Sequence, residues 1–192
     1  LGHIRSLAKK HPGLGILQID AHADLRIAYE GFEYSHASIM YNALKHKNVG
    51  KLVQVGIRDY CEQEANLVKE SKGRVVSFYD QTIKEQQFSG KSWESICDDI
   101  VKELPDQIYL SFDIDGLDPK LCPNTGTPVP GGFELEQVMF LIKKAVKAGK
   151  TIVGADLNEV SPGMDEWDAN VGARALFRLI NLMAMSQGLL NH

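Results

Sequence analysis

Three side chains able to bind a metal stand at alternate positions in Asp20-Ala21-His22-Ala23-Asp24, and two more in Asp113-Ile114-Asp115. Each group follows an apolar run that reads as a buried strand, Gly15 to Asp20 in one case and Gln107 to Phe112 in the other. Alternation aims the side chains of an extended segment to one side. In a straight strand Asp20 and Asp24 would lie roughly 13 Å apart, too far to serve two metals about 3.5–4 Å apart. The backbone must therefore curl as it leaves the sheet. Four aspartates crowded into apolar surroundings repel one another severely unless cations neutralise them. Four carboxylates and one imidazole suit a borderline-hard divalent ion such as Mn²⁺ better than structural zinc, which favours thiolate. A lone Asp-x-Asp at a strand end is ordinary turn or capping chemistry. Its combination with Asp-x-His-x-Asp at a second strand end is not explained that way.

His36, in Tyr34-Ser35-His36-Ala37, falls near the start of a helix. It is either a structural histidine or an acid-base group. Glu159, in Asn158-Glu159-Val160-Ser161-Pro162, lies beyond the last strand, where its carboxylate either meets a cationic substrate or is simply solvated. Asp118 before Pro119 reads as a turn residue, and His3, His11 and His46 as surface or helix-end residues.

The elements that must position these groups alternate. Strands are expected at 15–20, 51–55, 74–78, 107–112 and 151–155, and helices at 38–45, 62–71, 93–104, 134–148 and about 169–187. The segment from Ile4 to His11 reads as the end of a helix stopped by Pro12 and Gly13. Such alternation implies one α/β domain over 1–192, with a mostly parallel sheet between two helical layers and its sites beyond the carboxyl ends of the strands. The one long irregular stretch, Gly116 to Gly132, holds four of the seven prolines and four glycines. A loop of that length in a compact domain is usually functional.

The composition, 44% hydrophobic and 24% charged, is that of a globular protein. A net charge of -4 argues against a nucleic-acid partner. Lys143, Lys144 and Lys147 fall on one helix and read as its solvated face. No apolar run is long enough to span a bilayer and the first ten residues do not follow the grammar of a signal peptide, so the expected location is cytoplasmic. Cys61, Cys97 and Cys122 are far apart and odd in number, which predicts free thiols.

Four ordered motifs resemble the ureohydrolase family, which includes arginase and agmatinase. They are Asp-Ala-His-Ala-Asp at 20–24, Ser-Phe-Asp-Ile-Asp-Gly-Leu-Asp-Pro at 111–119, Thr-Gly-Thr-Pro-Val-Pro-Gly-Gly at 125–132 and Asn-Glu-Val-Ser-Pro at 158–162. The resemblance implies the three-layer αβα fold that arginases share with related deacetylases. It also implies two Mn²⁺ per subunit, with Asp20 and Asp113 bridging both ions, Asp24 on one, and His22 and Asp115 on the other. Further implications are a proton-shuttling His36, a guanidinium-orienting Glu159, a catalytic part for Asp24 as a ligand, and hydrolysis of a small cationic guanidino substrate to an amine and urea. A homo-oligomer, trimer or hexamer, is implied as well.

The family also has a metal-binding histidine in a Gly-Gly-(Asp/Glu)-His-Ser motif upstream of the Asp-Ala-His cluster. No such motif occurs between Leu1 and Ile19, so the expectation is a catalytic domain with its N-terminal part missing. The loop from Asp24 to His36 looks more like agmatinase, and lacks the Asn and Ser with which arginase grips an amino acid. Agmatine, cleaved to putrescine and urea, is therefore the expected substrate. Asn124 stands where agmatinases usually have Gly, which keeps arginase or another guanidino-acid hydrolase as an alternative. A non-catalytic metal-binding relative is the second alternative.

Overall fold

The computed structural model describes residues 1–190. Its centre is a five-stranded sheet of β1 (Leu14–Ile19), β2 (Val49–Ile57), β3 (Val75–Tyr79), β4 (Gln107–Asp113) and β5 (Thr151–Asn158). The strand order is β3-β2-β1-β4-β5 and every pairing is parallel. The expected mostly parallel sheet is thus wholly parallel. β1 is buried along its whole length, as a central strand covered on both faces must be.

Alternation along β1 divides two cores. Leu17 and Ile19 pack with side chains from α5 (Trp93–Glu103), α6 (Leu135–Lys147) and α7 (Trp167–Ser186), including Ile100, Ile142 and Ala175. Leu14 and Ile16 pack on the other face with α1 (Gly2–Lys10), α2 (Ile39–Leu44) and α3 (Glu62–Glu70), including Ile4, Met40 and Leu67. The result is three layers, as expected.

Three elements depart from the sequence reading, among them β2, which runs two residues beyond each expected end. A helix, α4 (Asp80–Phe88), was not expected; Ile83 is its one buried apolar residue, so it shows no apolar repeat to detect. β5 runs three residues beyond Ala155, because a half-exposed strand carrying Asp156 and Asn158 does not read as an apolar run. None of the described helices is long and apolar enough to cross a membrane.

The chain moves outward from β1 to β2 and β3, then returns to β4 and β5 on the other side of β1. β1 and β4 are therefore the neighbours between which the order reverses, the place where parallel sheets open a crevice beyond their carboxyl ends. Ile19 is in register with Phe112. Asp20 and Asp113, the next residues, therefore stand side by side at the carboxyl ends of β1 and β4.

Candidate metal centre

The expected curl begins at once after β1. The His22 amide donates to Asp20 Oδ1 at 2.7 Å, and the Ala21 amide to Asp115 Oδ1 at 3.1 Å. The amides of Arg58 and Asp59, just past β2, donate to the Ala21 carbonyl. Asp24 then takes a left-handed backbone, with φ of 54°, a conformation costly for a residue with a Cβ. What holds it there is α2, whose Met40 and Tyr41 amides donate to the Asp24 carbonyl at 3.0 and 3.2 Å. Gly116 is required by closeness: a Cβ there would lie 2.9 Å from the Asp20 nitrogen.

These contacts bring Asp20, His22 and Asp115 together, with one donor atom of each within 4.8 Å of the others. His22 Nδ1 lies 3.0 Å from Asp115 Oδ2 and 3.6 Å from Asp20 Oδ1, while its Nε2 faces Asp59 Oδ2 at 3.7 Å. Asp113 accepts the Asp115 amide at 3.0 Å.

The cost of assembling these charges is visible in their acidities. Burial, then the charge of Asp115, pushes Asp20 up to about 6 against the hydrogen bonds that oppose it. Burial and the charges of Asp20, Asp115 and Glu159 push Asp113 up to about 9. Asp24 is also held well above the usual carboxylate range, by burial and by the charges of Asp20 and Asp113. Asp115 alone is lowered; its burial is outweighed by the hydrogen bond and charge of His22 together with the Ala21 amide. Buried, mutually repelling carboxylates around one imidazole are the donor set a divalent cation stabilises.

Beside the cluster is a cavity of about 370 Å³ whose wall includes His22, Asp24, Arg26, Tyr29, His36 and Asp59, and the segment from Thr127 to Val129. His36 opens a short 3₁₀ turn and sets its ring edge-on to Tyr29 at 5.4 Å. Glu159 also has a left-handed backbone, with φ of 59°. Its carbonyl accepts from Thr125 Oγ1 at 3.0 Å, and its Oε2 lies 3.1 Å from where a Cβ on Gly126 would stand. A larger groove of about 960 Å³, lined by α2 and α3, contains none of these groups.

The model of the arginase family matches residues 1–182. The chain belongs to the arginase family. The N(1)-aminopropylagmatine ureohydrolase of Thermus thermophilus is 36% identical over 176 residues, which cover 92% of this chain and 56% of that protein. Guanidinobutyrase of Pseudomonas aeruginosa is 30% identical over 188 residues, covering 92% of this chain and 55% of the relative. The solved proclavaminate amidino hydrolase from Streptomyces clavuligerus superposes with a TM-score of 0.79 at 26% identity, covering 96% of this chain and 60% of that one. The chain thus spans a little over half the length of these arginase-family relatives.

Within this arginase-family fold several site residues were not expected from sequence. Arg58 donates to the carbonyls of Asp115 at 2.7 Å, Leu117 at 3.2 Å and Val129 at 3.0 Å, tying the long loop to the end of β2. Asp59 faces His22, and Arg26 and Tyr29 line the cavity. Their one available signal was position: Arg58 and Asp59 directly follow the carboxyl end of β2. Asn124 uses its backbone and side-chain nitrogens on the buried Asp168 of α7, both at 2.9 Å, which makes it an anchor for the loop. Asp118 is a turn residue as expected, its carboxylate accepting the Lys120 amide.

Proposed function

We propose that this chain carries the hydrolytic site of a ureohydrolase, in which Asp20, His22, Asp24, Asp113 and Asp115 hold two Mn²⁺ and the guanidinium of a small cationic substrate is cleaved to an amine and urea. The observation that carries the reading is the convergence of Asp20, His22 and Asp115 within 4.8 Å, with Asp113 and Asp24 in electrostatic range and a cavity alongside. When bound, divalent metal offsets the carboxylate charges and lowers the pKa of water.

The chain's own residues supply the rest. Glu159, whose charge is felt at Asp113, offers a carboxylate whose two oxygens match the paired N–H groups of a guanidinium. His36, on the cavity wall, is the group placed to carry a proton to the departing amine at a ring nitrogen. Tyr29 and the segment from Thr127 to Val129 narrow the cavity and limit water. At the mouth, the exposed carboxylate of Asp59 suits a substrate with a cationic tail. Agmatine has that tail and no carboxylate.

A second reading rests on Arg26, which lines the same cavity with its guanidinium over the Tyr29 ring and, among the described residues, in no ion pair. A cation there favours a guanidino acid. Urea release from agmatine, arginine and 4-guanidinobutyrate by Mn²⁺-loaded protein decides between them. Agmatine is the expected best substrate, preference for 4-guanidinobutyrate supports the Arg26 reading, and no urea from any of the three overturns both.

A further inference from the structure

One layer below the acidic cluster, a row of polar side chains crosses the sheet. Ser77 in β3 is in register with Gln54 in β2, Gln54 with Gln18 in β1, Gln18 with Ser111 in β4, and Ser111 with Asp156 in β5. Gln18 and Gln54 are fully buried, and buried amides are costly unless every group is matched.

They are matched in one direction only. Ser77 Oγ donates to Gln54 Oε1 at 2.7 Å. Gln54 Nε2 donates to Gln18 Oε1 and to the Ala23 carbonyl, both at 2.7 Å. Gln18 Nε2 donates to Asp20 Oδ2 at 2.9 Å and to the His22 carbonyl at 3.2 Å. The far ends of the relay, a carboxylate and two carbonyls, can only accept, so neither amide can turn over without setting oxygen against oxygen. All three acceptors belong to the segment 20–24 that curls out of β1.

We propose that Gln18 and Gln54 are positioning residues that hold the Asp20–Asp24 segment in its ligating curl, Gln54 acting largely through Gln18. The proposal rests on the metal reading above. Outer-shell partners that orient metal-binding carboxylates typically contribute 10–100-fold to metal affinity. The left-handed backbone of Asp24 shows that the curl is held against a cost, and the glutamine donations to Asp20, His22 and Ala23 act beside those of the Met40 and Tyr41 amides to Asp24.

The test is Mn²⁺ affinity by titration of the full chain, with metal-free melting temperature measured alongside. Gln18→Leu and Gln54→Leu are each expected to weaken Mn²⁺ binding about 10–100-fold. Combining them should cost clearly less than the sum, because Gln54 reaches Asp20 only by way of Gln18. Gln54→Glu keeps the size and the acceptor for Ser77 but removes both donations, so it should weaken Mn²⁺ as Gln54→Leu does and carries the test if the leucine variant does not fold. Ser77→Ala, at the outer end, should change Mn²⁺ affinity least. If the variants bind Mn²⁺ as tightly as the parent and only melt earlier, the relay is structural and the proposal falls; if the two losses simply add, Gln54 acts through the Ala23 carbonyl and the coupling through Gln18 is overturned. A parent chain that binds no Mn²⁺ would overturn the metal reading itself, a result distinguishable from either.

Discussion

His22 Nδ1 lies 3.0 Å from Asp115 Oδ2, so one proton on the imidazole joins two groups proposed as metal ligands. Burial opposes a charge on His22, but hydrogen bonds to Asp115 and Asp20 outweigh it and push the imidazole up to about 11. A histidine ligand must be neutral, so metal has to displace that proton. Because Asp113 is also held protonated in the neutral range, Mn²⁺ binding is expected to release at least two protons and to strengthen by at least about a hundredfold per pH unit there. Calorimetric titration in buffers of different ionisation enthalpy measures both. An affinity that stays flat between about pH 6 and about pH 8 would show that these protons are not in the metal's way.

The same carboxylates make stability depend on pH when metal is chelated. Asp20 and Asp113 are raised from 3.8 to about 6 and about 9. A group raised on folding contributes stability below its unfolded value, and that contribution is lost as pH climbs through the folded value. His22, raised from 6.5 to about 11, stays protonated in the folded chain while the unfolded chain gives up that proton, so above its unfolded value it adds to the same loss. In chelator the chain should lose on the order of 1–3 kcal/mol between about pH 5 and about pH 8, and Mn²⁺ should restore it. Asp113→Asn, which cannot ionise, should melt higher than the parent at about pH 8 in chelator while holding Mn²⁺ less tightly and releasing little urea. Thermal scans with chelator and with Mn²⁺ check the pair. An asparagine variant destabilised at both pH values would mean that Asp113 is a structural residue.

Much of this was legible because the sheet is parallel and its ligands sit at strand ends. The apolar runs at Ile16 and Leu110 marked β1 and β4, and the aspartates after them marked the crevice before any pairing was known. What sequence could not give was adjacency. That Asp20 emerges beside Asp113 depends on β1 pairing with β4 across about ninety intervening positions, a choice made by whole-sheet packing rather than by either motif. Arg58 was missed for a related reason: its work is done on carbonyls of a loop distant in sequence, and carbonyls leave no signature. The polar row from Ser77 to Asp156 was hidden because each strand contributes one member to it, significant only once the register aligns them. α4 was hidden because one buried apolar side chain makes no pattern.

His36 lines the cavity but lies outside the cluster of ligand donors. His36→Asn is accordingly expected to slow urea release by roughly 10²–10⁴-fold, the usual scale for a lost acid-base group, while leaving Mn²⁺ content unchanged. Added imidazole should recover part of the rate. A variant of full activity would leave His36 with only its ring packing on Tyr29.

Glu159 offers the sharpest separation of substrate binding from metal binding, because its position is fixed by contacts independent of the ligands. Its carbonyl is held by Thr125 Oγ1, its backbone is left-handed, and its carboxylate passes closely over Gly126. Replacing it by Gln keeps the shape and a hydrogen-bonding oxygen but removes the negative charge, so pairing with a guanidinium weakens while the aspartate cluster stays intact. Glu159→Gln should cut kcat/KM for the preferred guanidino substrate roughly 10²–10³-fold, a range seen when a charge-stabilising contact is removed, with two Mn²⁺ still bound. Gly126→Ala approaches the same carboxylate from outside. Its new Cβ would come 3.1 Å from Glu159 Oε2, tight enough that the carboxylate must shift by a few tenths of an ångström, and a smaller loss through KM should follow. Kinetics and metal analysis on both variants settle the role: if Glu159→Gln sheds manganese, Glu159 belongs to the metal shell, and if Gly126→Ala leaves KM untouched, the carboxylate does not need the place this loop gives it.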